Sequence, residues 1–292
     1  MKVNQSDVEP REFGSKFWQG ASKPTRSNFL SLLSVFQLRK TACVLLIACL
    51  PLGSVAYATA PAASLAQQAH RLFLNGGNEA AESMLQQVSA VDRDDPSVIF
   101  EQAMLDDAAG RHDQARKGYD RLQAGPLARA AAVPSAVNLV ALNRFAQARK
   151  AFATLATSQD AYEAGYSQLW QLWLTARTHK GKSAALRARL ATAAAQVKAA
   201  TPQQRALAEL YAGKGSVDAV FSAIDGMGLV DPLQRRDART EAAFFAGGYL
   251  QYVRRDHPAA LRLYKQELSQ PSASIERPLL ERAIARLPPA SR

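Results

Sequence analysis

The chain has 292 residues, 48% apolar and 8% aromatic, with 36 Lys and Arg against 25 Asp and Glu, for a formal charge of +11. The apolar share excludes a disordered chain, and the length allows one or two domains. Ala and Leu dominate the apolar set while Val, Ile and Thr are scattered, which excludes a multistranded sheet and predicts an all-α fold, because Ala and Leu lose little side-chain entropy in a helix.

Residues 1–58 read as a leader or signal peptide with an extended n-region. They carry seven Lys and Arg against Asp7, Glu9 and Glu12, which leaves +7 on the body. Arg39 and Lys40 precede an apolar run at 41–55 broken by Pro51 and Gly53, and Ala56 and Ala58 place small residues around a cleavage site after Ala58. The run is shorter than the ~20 apolar residues that span a bilayer. A second apolar segment at 28–38 leaves a retained anchor open. Leu46-Ile47-Ala48-Cys49 resembles a lipobox, which makes Cys49 a candidate for lipidation. Simple cleavage comes first, because only eight residues of apolar run precede Cys49 and apolar sequence continues past it. Cys43 and Cys49 are the only cysteines, so a body starting at residue 59 has no disulfide, thiol nucleophile or thiolate metal site. The expected location is the periplasm, with membrane attachment only through a retained or lipidated leader. Nucleic-acid binding fits the charge but conflicts with export.

The segment 59–158 repeats itself. The run 110–122 (Gly-Arg-His-Asp-Gln-Ala-Arg-Lys-Gly-Tyr-Asp-Arg-Leu) matches 143–155 at six of thirteen positions after a shift of 33 residues. A backward shift of 34 places Gly110 on Gly76 and Ala115 on Ala81. Three pairs of small residues recur: Ala69 with Ala81, Ala103 with Ala115, and Ala136 with Ala148. Gly76, Gly110 and Asn143 sit between them, where a left-handed residue can end a helix. Tyr119 and Phe152 follow as large residues. Asp95-Pro96, Thr201-Pro202 and Asp231-Pro232 read as helix caps followed by a first-turn proline, and Ser64 reads as the cap of the first helix. Pro134 falls inside a predicted helix and is expected to shorten or kink it.

This pattern resembles the tetratricopeptide repeat (TPR) family. The resemblance implies antiparallel helix hairpins stacked as a right-handed α-solenoid, because each hairpin leaves an apolar face for the next one to cover. It also implies a concave groove lined by the first helix of each hairpin. The matching positions are His70 and Phe73, then Phe100, Met104 and Asp107, then Val133, Val137 and Val140. A helix or extended apolar segment suits that lining best.

The segment 159–292 is less regular. Helical hairpins are predicted over 161–200 and 201–227, followed by a helix at 241–253, a repeat-like turn at 255–264 with Ala260 and Tyr264, and a cap helix at 275–287. Tyr166, Trp170 and Trp173 lie in the densest aromatic patch; core packing is the first reading and a second binding surface the alternative. The Trp-containing middle, the turn at 210–215 and the Glu241–Gly247 pattern resemble the NlpI type of periplasmic TPR lipoprotein, which implies an adaptor and a homodimer.

Chemistry is sparse. His70, His112, His179 and His257 have no metal-ligand spacing, and His112 and His257, beside Asp113 and Asp256, read as exposed histidines at the same repeat turn. Gly213, Gly215, Gly226 and Gly228 follow no strand, so a nucleotide loop is not expected. No cofactor or metal is expected, and no catalytic residue stands out. The leading functional expectation is an envelope scaffold or adaptor that binds proteins or peptides. A structural component of a secretion or polysaccharide-export complex and a helical envelope hydrolase are the alternatives.

Overall fold

A computed structural model describes residues 61–269 and 272–288. The leader assignments, cleavage after Ala58 and lipidation of Cys49 among them, lie outside these residues. The described residues form thirteen α-helices and no strand. They are α1 (Ala62–Leu74), α2 (Asn78–Gln86), α3 (Pro96–Ala108), α4 (His112–Arg121), α5 (Ala128–Ala141), α6 (Phe145–Leu155), α7 (Ala161–Thr178), α8 (Ser183–Ala194), α9 (Pro202–Tyr211), α10 (Val217–Asp225), α11 (Pro232–Tyr249), α12 (His257–Glu267) and α13 (Arg277–Arg286). None is long and apolar enough to cross a membrane.

Consecutive helices fold back on each other. α1 packs on α2, α3 on α4, α5 on α6, α9 on α10 and α11 on α12. The turns have a common cause. Gly76, Gly110 and Asn143 adopt φ of 80°, 76° and 57°. At each, the next residue's N–H reaches five residues back, from Gly77 to Leu72, Arg111 to Asp106 and Arg144 to Leu139, at 2.7–2.9 Å. Gly213 makes the same closure, with Lys214 bonded to Glu209 at 2.9 Å. This Schellman arrangement satisfies the last helical carbonyls and reverses the chain.

Small residues set how closely the hairpin helices approach. Ala69, Ala81, Ala103, Ala115, Ala136 and Ala148 are all buried. A Cβ added at Gly118 would stand 2.8 Å from that of Ala103. The last hairpin keeps the same register: Gly248 and Ala260 are twelve residues apart, as are the three earlier pairs, and Arg255 between them has φ of 56°. Leu250–Arg254 forms a π turn there. The Arg shared by the matched runs has a common role. Arg116 bonds the Ser135 carbonyl and hydroxyl at 3.0 and 2.8 Å, tying α4 to α5. Arg149, 33 residues on, bonds the Leu174 carbonyl and the Thr178 hydroxyl at 3.3 and 2.8 Å, tying α6 to α7.

Three caps form as expected. Asp95 accepts from Ser97 N–H at 2.8 Å, Thr201 from Gln204 at 3.1 Å and Asp231 from Leu233 at 2.8 Å. Ser64 does not cap α1: the helix starts at Ala62, and Ser64 N–H bonds the Pro61 carbonyl within the first turn. Pro134 does not shorten its helix, since α5 runs 14 residues through it. The helix predicted to begin at 241 begins at Pro232, because the Asp231 cap initiates it nine residues earlier.

Two apolar clusters form the core. The first joins α1–α4 and the start of α5; the second runs from α5 to α13. The second centres on Trp170, whose ring stacks on Phe152 at 5.0 Å and lies 4.8 and 5.3 Å from Phe244 and Phe245. Ile275 packs against both clusters.

Candidate functional site

The first helices of the three N-terminal hairpins lie side by side, α1 against α3 and α3 against α5. Their shared face is covered by the chain's own C-terminal segment, 272–287, which reaches it with α13 packed on both α11 and α3. Between them lies a cavity of about 30 Å³, the size of a single water. Phe73, Met104, Asp107 and Val137 line it from the hairpins, and Ser274, Ile275, Pro278 and Leu279 from the segment.

Four of the eight expected groove residues, Phe73, Met104, Asp107 and Val137, thus meet at one place. Phe100, Val133 and Val140 do not line it; their side chains are buried in the core. His70 lies apart, its Nδ1 3.1 Å from the Glu101 carboxylate. Burial holds the Glu101 carboxyl above its ordinary range, and the His70 contact partly opposes that. Tyr166, Trp170 and Trp173 are buried and present no second surface; the large aromatic area is spent on packing α7 against α11.

One wall of the cavity is polar. Asp107 Oδ1 lies 2.8 Å from His112 Nδ1 and accepts from Asn138 Nδ2 at 2.7 Å. Asn138 also donates to the His112 carbonyl at 2.9 Å. Both partners are acceptors, so the amide orientation is forced and Oδ1 is left without a donor among the described residues. Tyr119 donates to Met104 Sδ at 3.3 Å, and burial with the adjacent Asp107 carboxylate pushes its phenol well up. His112, expected as an exposed turn residue, is half-buried because Asp107 draws it inward.

The covering segment is held by carboxyl groups. Asp237 accepts from the Ser272 hydroxyl at 2.9 Å and the Ala273 N–H at 3.2 Å. Glu276 accepts from the Tyr166 hydroxyl and from Ser274. Glu241, on α11, accepts from Tyr162 at 2.9 Å and Gln203 at 3.0 Å. Arg282 donates to the Ala141 carbonyl. Burial drives Glu241, Glu276 and Asp237 above the ordinary carboxylate range, and repulsion from Glu276 adds to the effect at Glu241. Hydrogen bonds from Ser274 and Tyr166 pull Glu276 partly back.

Chemically, this arrangement can hold an apolar segment over a small polar pocket and keep protons on buried carboxyls. Glu241 and Glu276 are two buried carboxyls close enough to repel each other. Both are buried and neither lines the cavity, so no substrate reaches them in this conformation. No cluster of His, Cys, Asp and Glu suited to a metal occurs among the described residues. The carboxyl cluster escaped sequence reasoning because Glu241 and Glu276 meet their tyrosine partners across 79 and 110 residues of chain. Asn138 escaped it as well; its polar character inside an apolar helix was the available signal. Comparison with protein-family models finds no match to this chain, and comparison with curated proteins finds none either.

Proposed function

We propose that the chain is a TPR-type scaffold or adaptor of the bacterial cell envelope, its hairpins stacked as a right-handed α-solenoid that holds a segment of a partner protein. The observation that carries this reading is the recurrence, at 33- and 34-residue spacing, of a buried small-residue pair around a left-handed turn. Such hairpins stack because each one leaves an apolar face uncovered. In this reading the face of α1, α3 and α5 is the docking site and takes a segment like 272–287: an apolar turn leading into a short helix, whose Ile275, Pro278 and Leu279 line the same cavity. A partner of that type displaces the segment. No catalysis belongs to this reading, and the periplasm is its setting because of the leader sequence.

The test is affinity capture from envelope extracts with the full chain, the Met104→Ala chain, altered where the hairpins line the cavity, and the Leu279→Ser chain. The groove variant is expected to lose a specific partner. Leu279→Ser is expected to gain it, because the covering segment is weakened. Identical recovery in all three would exclude the groove.

A further inference from the structure

The charge of the body is unevenly placed. Between Glu163 and Glu209 there is no acidic residue, while Arg177, Lys180, Lys182, Arg187, Arg189, Lys198 and Arg205 lie in that interval. These seven cations equal the whole +7 of residues 59–292, so the remainder of the body is neutral. A second acid-free interval, from Asp120 to Asp160, adds Arg144 at the start of α6 and Arg149 and Lys150 on it.

The fold brings much of this charge together. α6 and α8 both pack on α7. Arg149, fixed by α7, lies close enough to Arg189 on α8 for their repulsion to push its guanidinium below its usual range, after the larger effect of burial. Arg177 sits over the rings of Phe145 and Tyr252 at 5.2 and 5.3 Å. Arg286 of α13 acts on the same Tyr252. Lys180 and Lys182 are exposed in the turn between α7 and α8. None of these six cations makes an ion pair among the described residues. Five arginines elsewhere, Arg111, Arg116, Arg121, Arg239 and Arg277, each meet a carboxylate.

Unrelieved like charge costs stability, and an anionic partner offsets it. The surface also indicates which kind. Protein interfaces are anchored by exposed aromatic and apolar side chains, and single-stranded nucleic acid by stacking rings. This face has neither among the described residues: Phe145 and Tyr252 lie under Arg177, and the exposed large hydrophobics there, Val91 and Val230, fall outside α6, α7 and α8. A layer of anionic headgroups requires only diffuse positive charge. The apolar runs at 28–38 and 41–55 of the same chain are a second membrane-directed signal, and weak apolar anchors become stable in combination with a basic patch.

We propose that the face formed by α6, the α7–α8 turn and α8 binds the anionic headgroup surface of a lipid bilayer. This is independent of the groove on α1, α3 and α5. The partner-binding helices and the membrane-facing helices are different elements, so one chain holds a protein segment at an anionic membrane.

The test is co-sedimentation of the full chain with vesicles of mixed phosphatidylglycerol and phosphatidylcholine, and with phosphatidylcholine alone. The variant is Lys180→Gln/Lys182→Gln/Arg189→Gln, at three exposed positions. With each charge contributing its usual share, the variant's affinity for the anionic vesicles falls about a hundredfold. Binding to phosphatidylcholine, which reports the leader, is the same for both chains. Wild-type binding to the anionic vesicles also weakens steeply with salt. Equal binding of variant and wild type to the anionic vesicles overturns the proposal. So does tighter binding of a labelled oligonucleotide than of the anionic vesicles, which transfers the face to nucleic acid. Matching thermal unfolding confirms that the variant is folded; if it is not, Lys180→Gln alone is read for a roughly fivefold loss.

Discussion

Adding one methyl group at Gly248 tests whether the last hairpin is built by close approach. Gly to Ala in a helix interior gains about 1 kcal/mol of intrinsic preference. Here the new Cβ would stand 2.4 Å from Trp173 Nε1 and 2.5 Å from Cδ1. The indole cannot swing away: Trp170, Phe244 and Tyr252 hold it at centroid distances of 5.7, 5.1 and 5.7 Å. Overpacking a core costs about 1–3 kcal/mol or more, and a contact this short lies at the upper end, so a net loss of about 1–2 kcal/mol is expected. At about 2–4 °C per kcal/mol, that lowers the melting temperature by roughly 2–8 °C. Gly226→Ala is the control: its Cβ would meet nothing closer than 3.5 Å, so it gains stability. Thermal and urea unfolding, followed by circular dichroism and tryptophan fluorescence, measures both. A Gly248→Ala chain as stable as Gly226→Ala would refute the packing argument.

Ala115→Trp and Ala148→Trp place a large ring where two helices meet at buried alanines; each is expected to cost about 3 kcal/mol or more, and unchanged thermal unfolding in both would refute the repeat register. Removing the Asp231 cap with Ala is expected to cost about 1 kcal/mol, read as a shift of the urea midpoint at constant slope. The carboxyls in and beside the C-terminal segment give a signed pH dependence. Glu241, Glu276 and Asp237 are raised by burial in the folded state, so their stabilising contribution is present below the ordinary carboxylate range and is lost as pH rises through the raised values. Glu276→Gln is therefore expected to flatten the fall in melting temperature from acid to neutral pH; equal slopes for the two chains exclude this latch.

The helices were legible where local rules act alone. Gly76, Gly110 and Asn143 carry their turn in their own backbone preferences, and Asp95, Thr201 and Asp231 need only a neighbouring N–H to cap. The alanine pairs were legible because the repeat supplies an internal comparison. Ser64 was misplaced because the helix already starts at Ala62, directly after Pro61, which puts Ser64 inside the first turn. The route of 272–287 was not legible, since it depends on Asp237, Tyr166 and Ala141, which lie far away in the chain. For the same reason, the groove residues were read as a surface although most of them are covered. The aromatic patch around Trp170 was half legible: its spacing marks a helix, but only the approach of α11 makes that helix central.

The most direct measurement is site-specific photocrosslinking of the full chain in envelope extracts. A photoreactive residue replaces Ala108, which lines the cavity under the covering segment, or Glu79, exposed on α2. Capture of one specific protein from position 108 and not from position 79 is the predicted result. Equal capture at both positions, or none at 108, would contradict a partner held on the face of α1, α3 and α5.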